Sequence, residues 1–268
     1  MSIINKKYKI LTILGSGSFG SIYKGQNIRT NEYVAVKVEP INSNFKLLKN
    51  ETIIYHYLNS CDGIPNIKWF GKDDKNYYMV IDLLGESLQD MKNKLDKFSL
   101  ILVLKIGIKI ISLLKTIHDK GLVHRDIKPD NFLFGLNTFT NLYLIDFGFC
   151  KSYLDNDKHV ALKTTHDIIG SLNYASIMSH KRFELSRRDD LESVGYMLLY
   201  FYMGSLPWNN ETHENEIIRK KIEFLDSDIY SCPTIILDYF KYIRLIEYTE
   251  TPNYYLIIDK FKHEIELL

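Results

Sequence analysis

The stretch VHRDIKPDNFLFG, Val123 to Gly135, places one imidazole, two cations, two carboxylates, a proline and a carboxamide within the eight residues from His124 to Asn131. Apolar residues bracket it on both sides. Polarity this dense between hydrophobic runs fits side chains held in place by a buried scaffold better than it fits a solvated loop. Further on, Asp146 opens the triplet DFG directly after the apolar run LYLI. Attack of a hydroxyl on a phosphoryl group needs alignment, a proton acceptor and cations to spread the developing charge. Asp126 can orient the hydroxyl and take its proton. Lys128 can neutralise charge on the group in transit, and Asn131 and Asp146 are oxygen donors suited to Mg²⁺. Each residue alone has an ordinary role, Asp146 as a turn cap and His124 as a core support. Their order and spacing together argue for chemistry.

Two upstream features bear on the same reaction. GSGSFG, Gly15 to Gly20, is a GxGxxG, which by itself is also a plain glycine-rich hairpin. A dinucleotide site would have these glycines open a helix, whereas SIYKGQN continues at strand spacing. A glycine-rich hairpin can lay backbone N–H groups over phosphates because no side chain blocks the approach. VAVK ends at Lys37, seventeen residues beyond Gly20. That lysine either snorkels to solvent or reaches the α- and β-phosphates, and then it needs a carboxylate to hold it. Glu51 is the candidate, with Glu32 and Glu39 nearby, and spacing alone does not choose among the three.

The elements that position these groups change character along the chain. YKILTILGSGSFGSIYKGQN reads as strand, turn, strand, and EYVAVKVEP as another strand. FKLLKNETIIYHYLN has helical spacing, and IKWFGKDDKNYYMVIDLL reads as a hairpin turning near Asp73 to Asn76. After Gly85 long amphipathic helices take over, with two short strands around NFLFG and LYLIDFG. The expected class is α+β, a small β lobe joined near Gly85 to a larger α lobe, with a cleft between them.

Composition narrows the function classes. With 268 residues, 46% hydrophobic and 25% charged, the chain reads as an ordinary globular protein. A net charge of +1 gives no general case for nucleic acid or membrane binding. Three scattered cysteines, with no CxxC, fit a reducing compartment. MSIINKKYKI lacks the apolar core of a signal peptide. In Leu100 to Ile117 three lysines (Lys105, Lys109, Lys115) interrupt the apolar run, so a buried helix is expected there and not a membrane span.

Taken together, these motifs resemble a eukaryotic-type protein kinase, and the resemblance covers the catalytic domain almost end to end. KPDN is more similar to serine/threonine than to tyrosine kinases. GSGSFGSIYKG, HRDIKPDNFL, LIDFGF, YASI, SRRDDLESVGYMLLYF and GSLPW resemble the casein kinase 1 family, and YASI stands where most protein kinases have APE.

The resemblance implies a bilobal fold, with a kinase catalytic domain over 1–268 divided into lobes of about 1–84 and 85–268. It implies transfer of the γ-phosphate of ATP, with Mg²⁺, to Ser/Thr hydroxyls of protein substrates by an intracellular monomer, in cytoplasm or nucleus. Leu14, Gly15, Ser16, Gly17, Ser18, Phe19, Gly20, Ser21 and Ile22 would cover ATP, and Lys37 would pair with Glu51. Asp82 to Leu84 would be the hinge, offering backbone groups to adenine, with Ile81 behind it as gatekeeper. Asp190 would brace the catalytic loop, although a helix N-terminal carboxylate is an equally ordinary role for it.

Departures from the family pattern are also legible. Asn173 stands where an arginine usually precedes the tyrosine of YAS and helps bind anionic or pre-phosphorylated substrates. The sequence ends soon after YYLIIDKFKHEIELL, so the regulatory tail of many members is expected to be missing. Thr164, Thr165 and Ser171 are hydroxyls open to modification, with Arg125 as a partner for an added phosphate. Lys163, Lys181, Arg182, Arg187 and Arg188 are the remaining cations near the acceptor region, and Arg187 and Arg188 are expected to be tied to Asp189, Asp190 or Glu192. Two rival functions are a pseudokinase, against which no required group is missing, and a small-molecule phosphotransferase. Against the second, the YASI to GSLPW region resembles the part of protein kinases that docks a peptide.

Overall fold

The computed structural model describes residues 2–17, 20–43, 46–226 and 232–268. Its chain contacts divide it into two compact units, Met1–Glu86 with Phe132–Gly148, and Ser87–Asn131 with Phe149–Leu268. The sequence pattern had placed a single boundary near Gly85; by contacts, the chain returns to the first unit after Asn131.

The first unit is built on an antiparallel sheet of β1 (Ile3–Ile4), β2 (Tyr8–Gly17), β3 (Gly20–Asn27), β4 (Tyr33–Pro40), β5 (Ile67–Lys72) and β6 (Asn76–Asp82), in the order β1-β2-β3-β4-β6-β5. Period-two alternation sorts β4 into two faces. Val34 and Val36 join Tyr8, Tyr78 and Val80 in a buried cluster that Val38 packs against. Lys37 and Glu39 lie on the opposite face, where both meet helix α1 (Leu47–Tyr57). The β5–β6 turn falls at the expected residues. Asp73 Oδ1 accepts the N–H groups of Lys75 and Asn76, each at 2.8 Å, the side-chain mimicry of a turn that favours aspartate there. Strands Phe132–Phe134 and Leu142–Leu144 pair antiparallel. They join this unit through Gly85 N–H to Phe134 O (2.8 Å) and Leu144 N–H to Gly63 O (2.8 Å).

The second unit is helical: α2 (Leu88–Lys94), α3 (Leu100–Asp119), α4 (Ile177–His180), α5 (Arg187–Met203), α6 (Glu214–Glu223), α7 (Thr234–Leu245) and α8 (Tyr254–Leu267). Helix α5 is buried over most of its length, and α3 and α7 pack on it. Helix α3 buries Val103, Leu104, Ile110, Ile111 and Leu114, whereas Lys105 and Lys109 are exposed and Lys115 is half-buried, so the lysines mark its outer stripe. Among the described residues no helix is long and apolar enough to cross a membrane. The strand Leu122–Val123 pairs antiparallel with Lys151–Ser152, which fixes the start of the HRD segment against the chain that follows DFGF.

Candidate active site

In the first unit the Lys37 ammonium donates to Glu51 Oε2 at 2.7 Å and to Asp146 Oδ1 at 2.8 Å. This settles which carboxylate holds the lysine. Glu32 instead pairs with Lys68 at 2.8 Å, and Glu39 accepts backbone N–H groups of α1. Burial opposes the charge on Lys37, but the two carboxylates outweigh it and hold the ammonium above the ordinary lysine value. Glu51 is fully enclosed, and burial pushes its carboxyl up to about 7 against the pull of Lys37, with the nearby Asp146 charge adding to the rise. Asp146 adopts a left-handed backbone (φ 66°), which aspartate tolerates better than most residues. Its N–H points to the Tyr55 hydroxyl at 3.4 Å, and the Tyr55 ring meets the Phe147 ring edge-on at 5.0 Å. Helix α1 therefore carries both the partner of Lys37 and the support for DFG.

The glycine-rich segment forms the β2–β3 hairpin, with Gly15 opposite Ile22, Ser16 opposite Ser21 and Gly17 opposite Gly20. Ile22 in turn pairs with Lys37 across β3 and β4, so the strand register alone brings the lysine beside the hairpin. Gly20 is a glycine for internal reasons: its φ is +141°, and a Cβ there would lie 2.2 Å from Val38 O. Gly15 and Gly17 differ, since a Cβ on either would meet nothing within 4 Å. The fold does not demand glycine at those two positions. Bare backbone there leaves room for a group approaching from outside, which fits a phosphate chain. Leu14 is 53% exposed at the edge of this hairpin, and Ser18 and Phe19 lie outside the described residues. At the far end of β6, Asp82 Oδ2 accepts the N–H of Asn66 at 2.8 Å and Lys68 Nζ lies 2.8 Å from Asp82 Oδ1. Ile81 is buried in the same strand, and Leu84 sits half-buried in the irregular stretch that follows.

In the second unit Asp126 is almost fully buried and is gripped from several directions. Lys128 Nζ donates to its Oδ2 at 2.7 Å, while Ser171 donates to Oδ1 through both its N–H (3.0 Å) and its hydroxyl (2.9 Å). Asn131 Nδ2 donates to the Asp126 backbone carbonyl at 2.8 Å. Gly170 makes this approach possible, because with φ +92° a Cβ would sit 2.7 Å from Arg125 O. Ser171 was read from sequence only as a modifiable hydroxyl. The one signal of its role is a hydroxyl residue following a glycine shortly before YASI.

Two adjacent carboxylates on α5 divide the supporting work. Asp190 Oδ2 accepts the N–H of His124 at 2.7 Å and Oδ1 that of Arg125 at 2.8 Å, bracing the loop that ends in Asp126. Burial works against the charge of Asp190, but contact with His118 and the hydrogen bonds outweigh it and keep the carboxyl below its usual value. Asp189 Oδ1 accepts the Ser176 hydroxyl at 2.7 Å, and its Oδ2 accepts the N–H of Ser186 at 2.8 Å, so SRRDD is stitched to YASI. Trp208 of GSLPW donates its indole N–H to Asn173 O at 2.9 Å. Buried Lys221 donates to Leu172 O (2.7 Å) and Ala175 O (2.8 Å). The backbone around Asn173 is thus fixed from three elements.

The surrounding cations are mostly engaged, though not as spacing suggested. Arg187 donates to the carbonyls of Thr249 (2.8 Å) and Glu250 (3.2 Å), and its guanidinium lies 4.4 Å from the centre of the Tyr153 ring. Arg188 donates to Ile246 O at 2.8 Å and lies 4.0 Å from Asp189. Carbonyls at the C-terminal end of α7 and beyond, rather than the neighbouring carboxylates of α5, are the main acceptors. Arg182 is paired with Glu214 (2.9 Å) and Arg125 with Glu184 (3.3 Å). Lys163 is 64% exposed, 3.8 Å from Glu184.

The family model described as protein kinase domain matches residues 8–258. The chain belongs to the protein kinases, and its two units are the β-sheet and helical parts of that bilobal fold.

Proposed function

We propose that this protein kinase is a serine/threonine kinase of the casein kinase 1 type, with Asp126 as the proton acceptor for the substrate hydroxyl. Family membership supports ATP-dependent phosphoryl transfer to protein. The observation that carries Asp126 as the proton acceptor is its environment, a buried carboxylate fixed by Lys128, Ser171 and Asn131. A carboxylate held on both oxygens can accept a proton without first reorienting, which is where positioned bases gain their rate. Lys128 is proposed also to offset charge on the phosphoryl group in transit.

Lys37, oriented by Glu51, is proposed to bind the α- and β-phosphates of ATP beneath the Leu14 to Ile22 hairpin. Asp82 to Leu84 serve as the hinge for adenine, with Ile81 as gatekeeper. Asp146 and Asn131 are proposed as the protein ligands of Mg²⁺. Among the described residues no group of three or more His, Cys, Asp or Glu side chains is placed to cage a metal. One carboxylate and one carboxamide suit Mg²⁺, which keeps waters and takes phosphate oxygens in place of a full protein shell. When bound, the ion would neutralise phosphate charge. The interlocking of YASI, SRRDD and GSLPW through Asp189 and Trp208 supports the casein kinase 1 reading and a peptide-docking role for that surface.

The test is transfer of labelled phosphate from ATP to casein and to a peptide array, with Asp126→Asn as control. Incorporation on serine and threonine that the control loses is expected. Transfer to tyrosine, or none with wild-type protein, would overturn the assignment.

A further inference from the structure

We infer that Glu39 is a positioning residue for phosphoryl transfer, fixing α1 and through it Glu51 on Lys37. The inference rests on the reading of Lys37 and Glu51 as the pair that handles the nucleotide. Glu39 is 2% exposed, yet it does not pair with Lys37, its near neighbour in β4. Its Oε2 accepts the N–H groups of Leu47 (3.1 Å) and Leu48 (3.0 Å), the first two residues of α1. Those amides have no partner within a helix, and they carry the positive end of its dipole. The helix's own sequence does little for them, since Lys46 at the N-cap makes no side-chain cap and the first turn holds no acidic residue. A carboxylate from the sheet supplies what the helix lacks.

The geometry makes this cap more than local stabilisation. Residues two apart in a strand project from the same face about 6.6 Å apart along it. Four residues of helix, the interval from Leu47 to Glu51, rise about 6 Å. Strand β4 therefore grips α1 at two points of matched spacing, Glu39 on its first amides and Lys37 on Glu51. A helix held only at Glu51 pivots about that contact. One held also at its N-terminus keeps Glu51 against Lys37 and keeps Tyr55 beneath Asp146. Leu47 also borders DFG, with its Cβ 3.5 Å from the place of a Cβ on Gly148.

A double-mutant cycle on the full chain separates positioning from plain stability. Glu39→Ala is expected to lower kcat/KM for ATP about tenfold, as the loss of a helix cap in the upper part of the usual range would. The KM for peptide should stay within about twofold, and amide exchange at Leu47 and Leu48 should quicken. In a Glu51→Gln background the same change should cost less than about twofold more, because its effect runs through Glu51. Should Glu39→Ala fail to fold, Glu39→Gln carries the same cycle, with an expected loss of about threefold since the amide oxygen still accepts but without charge. Effects that multiply across the two backgrounds, or a Glu39 variant that folds and keeps wild-type kcat/KM for ATP, overturn the role of Glu39. A Glu51→Gln enzyme with unchanged kinetics would instead overturn the Lys37–Glu51 reading itself.

Discussion

Replacing Ser171 probes Asp126, the proposed proton acceptor, without touching it. In the native protein the Ser171 hydroxyl donates to Asp126 Oδ1 at 2.9 Å, its N–H donates to the same oxygen at 3.0 Å, and Lys128 holds the other oxygen. A hydrogen bond to a charged group is worth about 1.5–3 kcal/mol. Because the backbone N–H still holds Oδ1 when the hydroxyl is gone, the lower end applies to Ser171→Ala. About 1.5 kcal/mol corresponds to roughly a tenfold fall in kcat. Ser171→Thr keeps the hydroxyl and should keep most of the activity. Ser171→Asp places a second carboxylate near 4 Å from Asp126, where like charges repel by about 4 kcal/mol at an effective dielectric near 20. That is about a thousandfold loss. The same reasoning makes phosphorylation at Ser171, one of the hydroxyls open to modification, inhibitory. The assay is steady-state transfer to peptide for the three variants, alongside their thermal unfolding. A Ser171→Ala enzyme within twofold of wild type, or a Ser171→Asp enzyme more active than Ser171→Ala, would refute the argument.

Three further outcomes are expected. Lys37→Met and Asp146→Asn should each abolish transfer while circular dichroism stays native, whereas Glu51→Gln should be milder because it orients Lys37 rather than touching phosphate; near wild-type turnover in either of the first two would undo that residue's assignment. With a neutral carboxamide at Asn173, primed peptides should gain less than roughly tenfold in kcat/KM over unprimed ones, and Asn173→Arg should raise that ratio; a strong primed preference unchanged by the substitution would mean another cation, such as exposed Lys163, binds the phosphate. Burial pushes Asp189 up to about 7 from its ordinary 3.8, so the folded state favours the protonated form, and the stability this contributes is full below about pH 4 and lost as pH rises toward 7. The stability advantage of wild type over Asp189→Asn should therefore shrink between pH 4.5 and 7.5 in urea titrations, and a constant difference would contradict the buried-carboxyl account.

Much of the candidate site was legible before any fold. HRDIKPDN and DFG are short, and residues so close in sequence are brought together by local turns, so their order already fixes which groups are available. Alternation in VAVKVE and the period of Leu100 to Ile117 likewise gave strand and helix, because burial of one face needs only local periodicity. The turn at Asp73 was readable for the same reason, its hydrogen bonds spanning two and three residues.

What the sequence determined by itself was the set of candidate reacting groups and the two kinds of structure that carry them. Only the tertiary structure decided how distant groups were matched. Three carboxylates were open to Lys37, and strand register with helix packing gave it Glu51 from 14 residues away and Asp146 from 109. Ser171 reaches Asp126 across 45 residues, and Asp190 reaches Arg125 across 65. Arg187 and Arg188, beside carboxylates in sequence, turn chiefly to the carbonyls beyond α7. A hydrogen bond is made or lost within about half an ångström. Over such separations its partner is set by how elements pack, a quantity that no local spacing encodes.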